Sequence, residues 1–343
     1  MKTEIEIRKK GGNRTYIAAA ILLIGIGALL LLMLLAITQG AATIPISTVV
    51  DAFIKFNPDN SKHLLVIDMR LPRVIAAALV ESALAVSGAL MQGMTRNPLA
   101  DSGLMGLNSG AGLALAICFA YISNATYSQI VFMSFLGAGL GACTVYIISS
   151  LVSGGNSAMK LVLAGATVST LLSALSQGIA IISKVSQSIT FWTMGSVSGT
   201  SWKQIGIASP VILISIFMAI VMSHNISILS MGEEVALGLG LKIKHVKFIG
   251  TFLVVLLAGT SVALAGTITF VGMLIPHFAR YLVGPDYRLI IPCSAVMGAL
   301  LLVASDIGAK TFNPPSELPI GAIIALLGVP VFLYFAKKQK GGF

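Results

Sequence analysis

The sequence predicts an all-α, polytopic membrane protein of about ten transmembrane helices, forming one domain over residues 1–343. Three observations carry that expectation. The chain is 56% hydrophobic and only 10% charged, with mean hydropathy +0.95, more apolar surface than a soluble core uses. Its apolar residues fall in serial runs of about twenty, the length that crosses ~30 Å of hydrocarbon at ~1.5 Å per residue. The runs are continuous rather than ten-residue alternations, which argues against an outer-membrane barrel.

The first run, about 16–37, follows Lys2, Arg8, Lys9, Lys10 and Arg14. It is longer than a usual signal-peptide core. An uncleaved first span is expected, with residues 1–15 cytoplasmic. Residues 38–68 are polar and mixed and read as an external segment with a short amphipathic helix at about 47–56. The second span, about 71–93, opens with Pro72, which suits a first turn. Arg70 and Arg73 are placed in that same turn, where the helix dipole repels cations. Either headgroups hold them by snorkelling or an acidic partner docks there. Glu81 falls near mid-span, where a carboxylate costs a few kcal/mol unless it faces protein or water.

Asn97-Pro98 ends this span. The third, about 103–121, opens with Gly103, Gly106, Gly110 and Gly112, small residues that let helices approach closely. The fourth (about 129–152) and fifth (about 161–183) flank the turn 153–160. Residues 184–204 are polar and hold Trp192 and Trp202, as befits a membrane interface. Span six is about 206–223.

The loop 224–244 is the most informative polar stretch. Glu233 and Glu234 open a short helix, favourable at its positive end, and Gly238 and Gly240 close it. Ala236, Leu237 and Leu239 leave a small apolar face, the mark of a partner groove. Span seven is about 246–267. The eighth contains Gly272 and Pro276 and is expected to be short or broken, which membrane depth tolerates only against protein or a water-filled path. His277 has no second ligand at i+3 or i+4 and reads as helix-end structure. Span nine, about 289–306, ends at Asp306, one helical turn before Lys310. TFNPPSELPIG then crosses the outer surface into span ten, about 320–336, and Lys337, Lys338 and Lys340 lie in a cytoplasmic tail, residues 337–343. This topology puts fifteen of the 22 Lys and Arg inside and seven outside, in agreement with the positive-inside rule. That rule accounts for the net charge of +10 better than nucleic acid does, because no basic patch is interleaved with aromatics. Cys118, Cys143 and Cys293 all lie in apolar runs and read as small buried hydrophobes without metal or redox spacing. A short echo, ALAVSG…G…P at 83–98 against ALAG…G…P at 263–276, points to an inverted repeat.

Four motifs in order, R-L-P-R (70–73), S-G-x-x-M-Q (87–92), R-N-P-L-A (96–100) and G-L-x-G (103–106), resemble the FecCD family of permeases for ferric siderophores, haem and cobalamin. F-W-x-M-G-S-x-S-G (191–199), G-E-x-x-A-x-x-L-G (232–240) and D-x-x-x-K followed by E-L-P-I-G (306–321) extend the match. The resemblance implies a type II ABC importer permease with an inverted repeat. It implies two permeases side by side, identical or paralogous, two ABC ATPase subunits beneath and one substrate-binding protein, often a lipoprotein, above. No cofactor belongs to this chain; ATP and Mg belong to the ATPase partner. Gly232, Glu233, Glu234, Ala236, Leu237 and Gly240 match the coupling helix. Lys310 matches a basic external position of the family, and with Arg70 and Arg73, which stand on the same side against a helix dipole, it is expected to dock acidic residues of the binding protein. Glu81, Gln92, Asn97, Ala158 and Met159 are candidates for the path or gate. The family usually has a small residue in place of Glu81 and small hydroxyls in place of Ala158-Met159. Ferric siderophore is the expected cargo, with haem or cobalamin as alternatives. The chain has no G-x-x-x-x-G-K-[ST], H-E-x-x-H or G-x-S-x-G, so an ABC permease would borrow its energy from a separate ATPase, a proton-coupled secondary transporter would use a carboxylate such as Glu81, and a passive channel would need no energy; the motifs favour the ABC permease.

Overall fold

The computed structural model describes residues 2–40, 42–151, 157–312 and 316–339; within these, the side chains of 2–13, 104, 127, 157–159, 161, 191 and 331–339 fall outside the description. The described chain is built of helices. A long α1 (Lys2–Thr38) leads to two short helices, α2 (Ile46–Ile54) and α3 (Ser61–Leu64), and then to α4 (Leu71–Thr95). Next come α5 (Leu107–Tyr121), α6 (Tyr127–Leu151), α7 (Ser157–Ile182), the short α8 (Ser186–Thr193) and α9 (Trp202–Ser230). The chain finishes with α10 (Glu233–Gly238), α11 (Ile243–Ala265), α12 (Val271–Val283), α13 (Tyr287–Thr311) and α14 (Ile320–Gln339). Seven of these segments are long and apolar enough to cross a membrane, and the apolar stretches Leu107–Tyr121, Val271–Val283 and Ile320–Pro330 are shorter. Together they are the ten expected, and the protein is a multi-pass membrane protein. Ten crossings bring both ends of the described chain to one end of the bundle, the near end. The far end carries α2, α3, α8 and the α13–α14 link.

The core is organised around α4, which packs on α13, α11, α12 and α9. Its sequence permits this because small residues, among them Ala76, Ala77, Ala85, Gly88, Ala89 and Gly93, recur among its buried positions. A Cβ on Gly88 would stand 1.8 Å from the Gly272 carbonyl oxygen, and one on Gly298 would stand 2.6 Å from that of Glu81. Without a hydrophobic drive between helices in lipid, such close backbone approach is what gives contact. The same device joins α5 to α6, where a Cβ on Gly110 would come within 2.2 Å of Gly137 O and one on Gly141 within 2.4 Å of Gly106 O. By contrast α1 is peripheral: 17% of its apolar window is buried, against 78% for the helix containing α4.

The structure corrects several local expectations. The second span does not start at Leu71, because helix is continuous from Ser61 to Thr95. Leu65–Arg70 forms a wide π-type turn in which the Leu71 amide donates to Val66 O. Widening there accommodates Pro72, which has no N–H to give. Arg70 and Arg73 are therefore mid-helix, and no helix N-terminus repels them. The interruption before α12 lies at residues 266–270, with Gly266 and Phe270 both at φ 73°. Gly272 and Pro276 lie inside α12. Span nine continues through Lys310 to Thr311. Cys143 is exposed on α6, unlike Cys118 and Cys293. The two halves of the short echo lie on α4 and at the α11–α12 break; α4 and α11 run antiparallel and pack together.

Candidate functional site

At the far end, α4, α13 and the α13–α14 link converge on a chain of charges. The Arg73 guanidinium donates from Nε to Asp306 Oδ1 at 2.9 Å and reaches both oxygens of Glu317 at 2.9 Å. Lys310 Nζ, one turn along α13, stands 2.6 Å from Asp306 Oδ2 and 3.5 Å from Ala36 O. Arg70 is held otherwise: its NH1 donates to Ile37 O at 2.6 Å and its NH2 donates to Ala42 O, so it serves one of the last carbonyls of α1 and one in the chain that follows it. All three cations are buried, as is Asp306, while the Glu317 side chain is 38% exposed. Within the chain these cations therefore already have partners, before any headgroup or docking protein is considered. The two carboxylates that Arg73 meets lie 233 and 244 residues away in the sequence, whereas Arg70 meets carbonyls 33 and 28 residues back and Lys310 an aspartate four residues back. Three cations against two carboxylates leave the cluster with one net positive charge.

At the near end, α10 stands between α9 and α11. Gly232 precedes it at φ 131° and Gly240 follows at φ 77°, conformations in which glycine alone is unstrained. Glu233 accepts from Lys247 Nζ at 2.8 Å, and Arg96, in a left-handed turn at the end of α4, stands 4.0 Å from it. The hydrogen bond from Lys247 and the charges of Lys247 and Arg96 hold the Glu233 carboxyl below its usual value, against a smaller opposing effect of burial. Two transmembrane helices, α11 through Lys247 and α4 through Arg96, are thereby tied to the short helix that follows α9. Ala236 faces inward with no exposed surface, whereas Val235, Leu237 and Leu239 are all exposed. The apolar face thus differs by one member from that expected: Val235 belongs to it and Ala236 does not. Glu234 begins the helix beside Glu233.

The path candidates are dispersed. Glu81 has no exposed surface, and neither carboxylate oxygen has a hydrogen-bond partner among the described residues. Gln92 is also buried and donates to Met273 O at 3.0 Å and Gly272 O at 3.4 Å, pinning α4 to the start of α12. Carbonyls at the α11–α12 break are served by the α8 segment, through Ser196 N to Ala265 O at 2.8 Å, as broken helix requires at membrane depth. Asn97 Oδ1 accepts from Leu99 N at 3.0 Å and shapes the turn after α4. Ala158 and Met159 lie in the first turn of α7, but their side chains are outside the described residues. Sequence reading missed Asp306 and Glu317 as partners of Arg73 and Lys247 as partner of Glu233. The D-x-x-x-K and E-L-P-I-G motifs were the available signal, without any indication of what they touch.

Ten apolar helices with a charged knot at one end and a projecting apolar helix at the other are matched closely by known proteins. The chain is 44% identical over 330 residues to the iron(3+)-hydroxamate import system permease protein FhuB of Bacillus subtilis, covering 96% of this chain and 86% of that one. It is 42% identical over 291 residues to the probable siderophore transport system permease protein YfiZ of the same organism, covering 84% and 87%. Among solved structures, an inward-facing putative metal-chelate type ABC transporter superposes with TM-score 0.82 at 27% identity, over 93% of this chain and 99% of that one. Residues 28–338 match the FecCD transport family, and with relatives of this identity and coverage the chain belongs to that family of membrane transport permeases.

Proposed function

We propose that this chain is the permease subunit of an ATP-binding-cassette importer that carries a ferric siderophore inward. The observation that carries the reading is α10: a tethered helix at the near end whose Val235, Leu237 and Leu239 project into a polar setting. Exposed apolar side chains on a helix held by three others are suited to a groove on a partner. That partner is an ABC ATPase, present in two copies, which supplies the energy that this chain's motifs do not. The near end is then cytoplasmic, in keeping with the excess of Lys and Arg assigned to it, and both termini are cytoplasmic. A second permease copy or paralogue completes the path. The cargo class follows the two relatives, one the permease of an iron-hydroxamate system and one of a probable siderophore system.

Leu237→Asp should leave assembly intact and uncouple ATP hydrolysis from uptake, measured with reconstituted transporter and radiolabelled ferric hydroxamate. Unchanged uptake per assembled complex would remove α10 from the coupling role.

A substrate-binding protein is proposed to dock at the far end through carboxylates that meet the net positive charge around Arg70, Arg73 and Lys310. Glu317→Gln removes one internal carboxylate and raises that charge by one unit. Steering between charges sets association rate and its salt dependence, so binding-protein association should quicken at low salt and converge with wild type at high salt. An unaltered rate at both ionic strengths would place docking elsewhere.

A further inference from the structure

The external-segment helix α2 has three faces rather than two. At about 100° per residue, Val49 and Ala52 form one strip, and both are buried against the protein. Ser47, Asp51 and Lys55 form a second, exposed and polar. Ile46, Val50, Phe53 and Ile54 form a third that is wholly apolar yet exposed, with Phe53 at 54% and Ile54 at 73%; Phe56 follows just past the helix at 48%. A helix in water has no reason to present such a strip, and a helix in a protein core has none to present the polar one.

Two independent markers fix its depth. α2 packs on α3 and on the turn Leu65–Arg70. Trp202 donates its indole N–H to Ile67 O in that same turn, at 3.0 Å, while remaining 43% exposed. A half-exposed tryptophan with its N–H satisfied sits where hydrocarbon meets headgroups. Arg70 binds Ile37 O and Ala42 O, so the end of α1 and the chain leading into α2 are at that level too. α2 also touches α1, whose Leu30, Leu31 and Leu35 are exposed along the last turns below it. The apolar strip of α2 therefore continues the lipid-facing surface of α1 around the rim of the bundle.

We propose that α2 is an interfacial helix. Ile46, Val50, Phe53 and Ile54 dip into the acyl-chain boundary of the far leaflet, Ser47 and Asp51 face water, and Lys55 lies at headgroup level. Helices with an apolar strip of this kind lie in the interface plane and bury that strip by several ångströms. Because α2 packs on the turn that carries Arg70, three residues before Arg73, lipid contact here fixes the height of the charged cluster above the bilayer.

The test uses the full chain in liposomes of zwitterionic and anionic phospholipid, in a Cys143→Ser background, since Cys118 and Cys293 are buried. Single spin labels are placed at positions 47, 50, 51, 53 and 54, all exposed. Collision with oxygen, which concentrates in hydrocarbon, is compared with collision with a water-soluble nickel chelate. Labels at 50, 53 and 54 should favour oxygen and those at 47 and 51 the chelate, so the logarithm of the ratio changes sign between the two strips. Chelate preference at 53 and 54 would show the strip in water and overturn the proposal. Shielding of those two labels from both reagents would overturn it equally, by showing a protein surface, such as a second copy of this chain, in the place assigned to lipid.

Discussion

Asp306 is the residue on which the far end turns. It has no exposed surface and contacts two buried cations, Arg73 at 2.8 Å and Lys310 at 2.6 Å. Taking charges out of water is costly, and removing one member of a buried set leaves the others uncompensated. Asp306→Asn is expected to lower stability by about 3–5 kcal/mol, read as thermal unfolding of the detergent-purified protein. Glu317 contacts the same guanidinium but is 38% exposed, so Glu317→Gln should cost only about 0–1 kcal/mol. Equal losses from the two changes would show that burial does not set the energetics of this cluster. Arg70 differs from Arg73 for a geometric reason. It points at an open carbonyl at the end of α1 and another in the chain just beyond, groups that need a donor whatever else binds nearby.

At the scale of elements, glycine contacts decide how closely the helices stack. Gly88→Ala must displace Gly272 or bend α4, since its new carbon would lie 1.8 Å from a carbonyl oxygen. A loss of roughly 1–3 kcal/mol or more is expected from overpacking of this kind, whereas Gly139→Ala, with nothing within 4 Å, should be tolerated. A melting comparison of the two variants in one detergent checks this. The link between α10 and α11 carries a pH dependence. Burial opposes ionisation of Glu233, but the hydrogen bond from Lys247 outweighs it and the folded pKa lies below the ordinary 4.5. A lowered acid pKa contributes fully above the unfolded value and is lost as pH falls through the folded one. A fluorescent probe at Leu237→Cys, in the Cys143→Ser background, should stay constrained down to about pH 4.5 and gain mobility only below it. With Lys247→Met it should be mobile already at neutral pH. Mobility that rises with increasing pH would contradict the pairing.

For the whole molecule, the two ends are joined by one rod. Continuous helix from Ser61 to Thr95 starts beside α2, carries Arg70 and Arg73, packs on four other helices, and stops where Arg96 faces Glu233. A partner at the far end and a partner at the near end would therefore press on the same element. The expected outcome is that Gln92→Ala, which removes the tie from α4 to Met273 O and Gly272 O, weakens stimulation of ATP hydrolysis by the binding protein more than it weakens docking. The measurement is ATPase rate against binding-protein concentration, where the maximum should fall and the half-point should hold. A shift in the half-point alone would place Gln92 in docking geometry instead.

The number of membrane helices, their order, the short helix opened by Glu233 and the family were legible in the sequence, because hydrophobic runs and short motifs are local and lipid demands helix from every apolar run. α2 was legible for the same reason, as an amphipathic stretch at about 47–56 that the structure places at Ile46–Ile54. The environment of each charge was not legible. Arg70 and Arg73 read as cations at a helix start because Pro72 marks one. The tertiary structure extends the helix a further three turns outward and brings Asp306 and Glu317 from positions 233 and 244 residues away. Glu81 read as a carboxylate that must face protein or water, and only the packing of α4 shows that it is enclosed within this chain, with no exposed surface. Sequence fixes which residues must leave water, since that depends on each run alone; which group compensates a buried charge depends on contacts between runs, and those only packing decides.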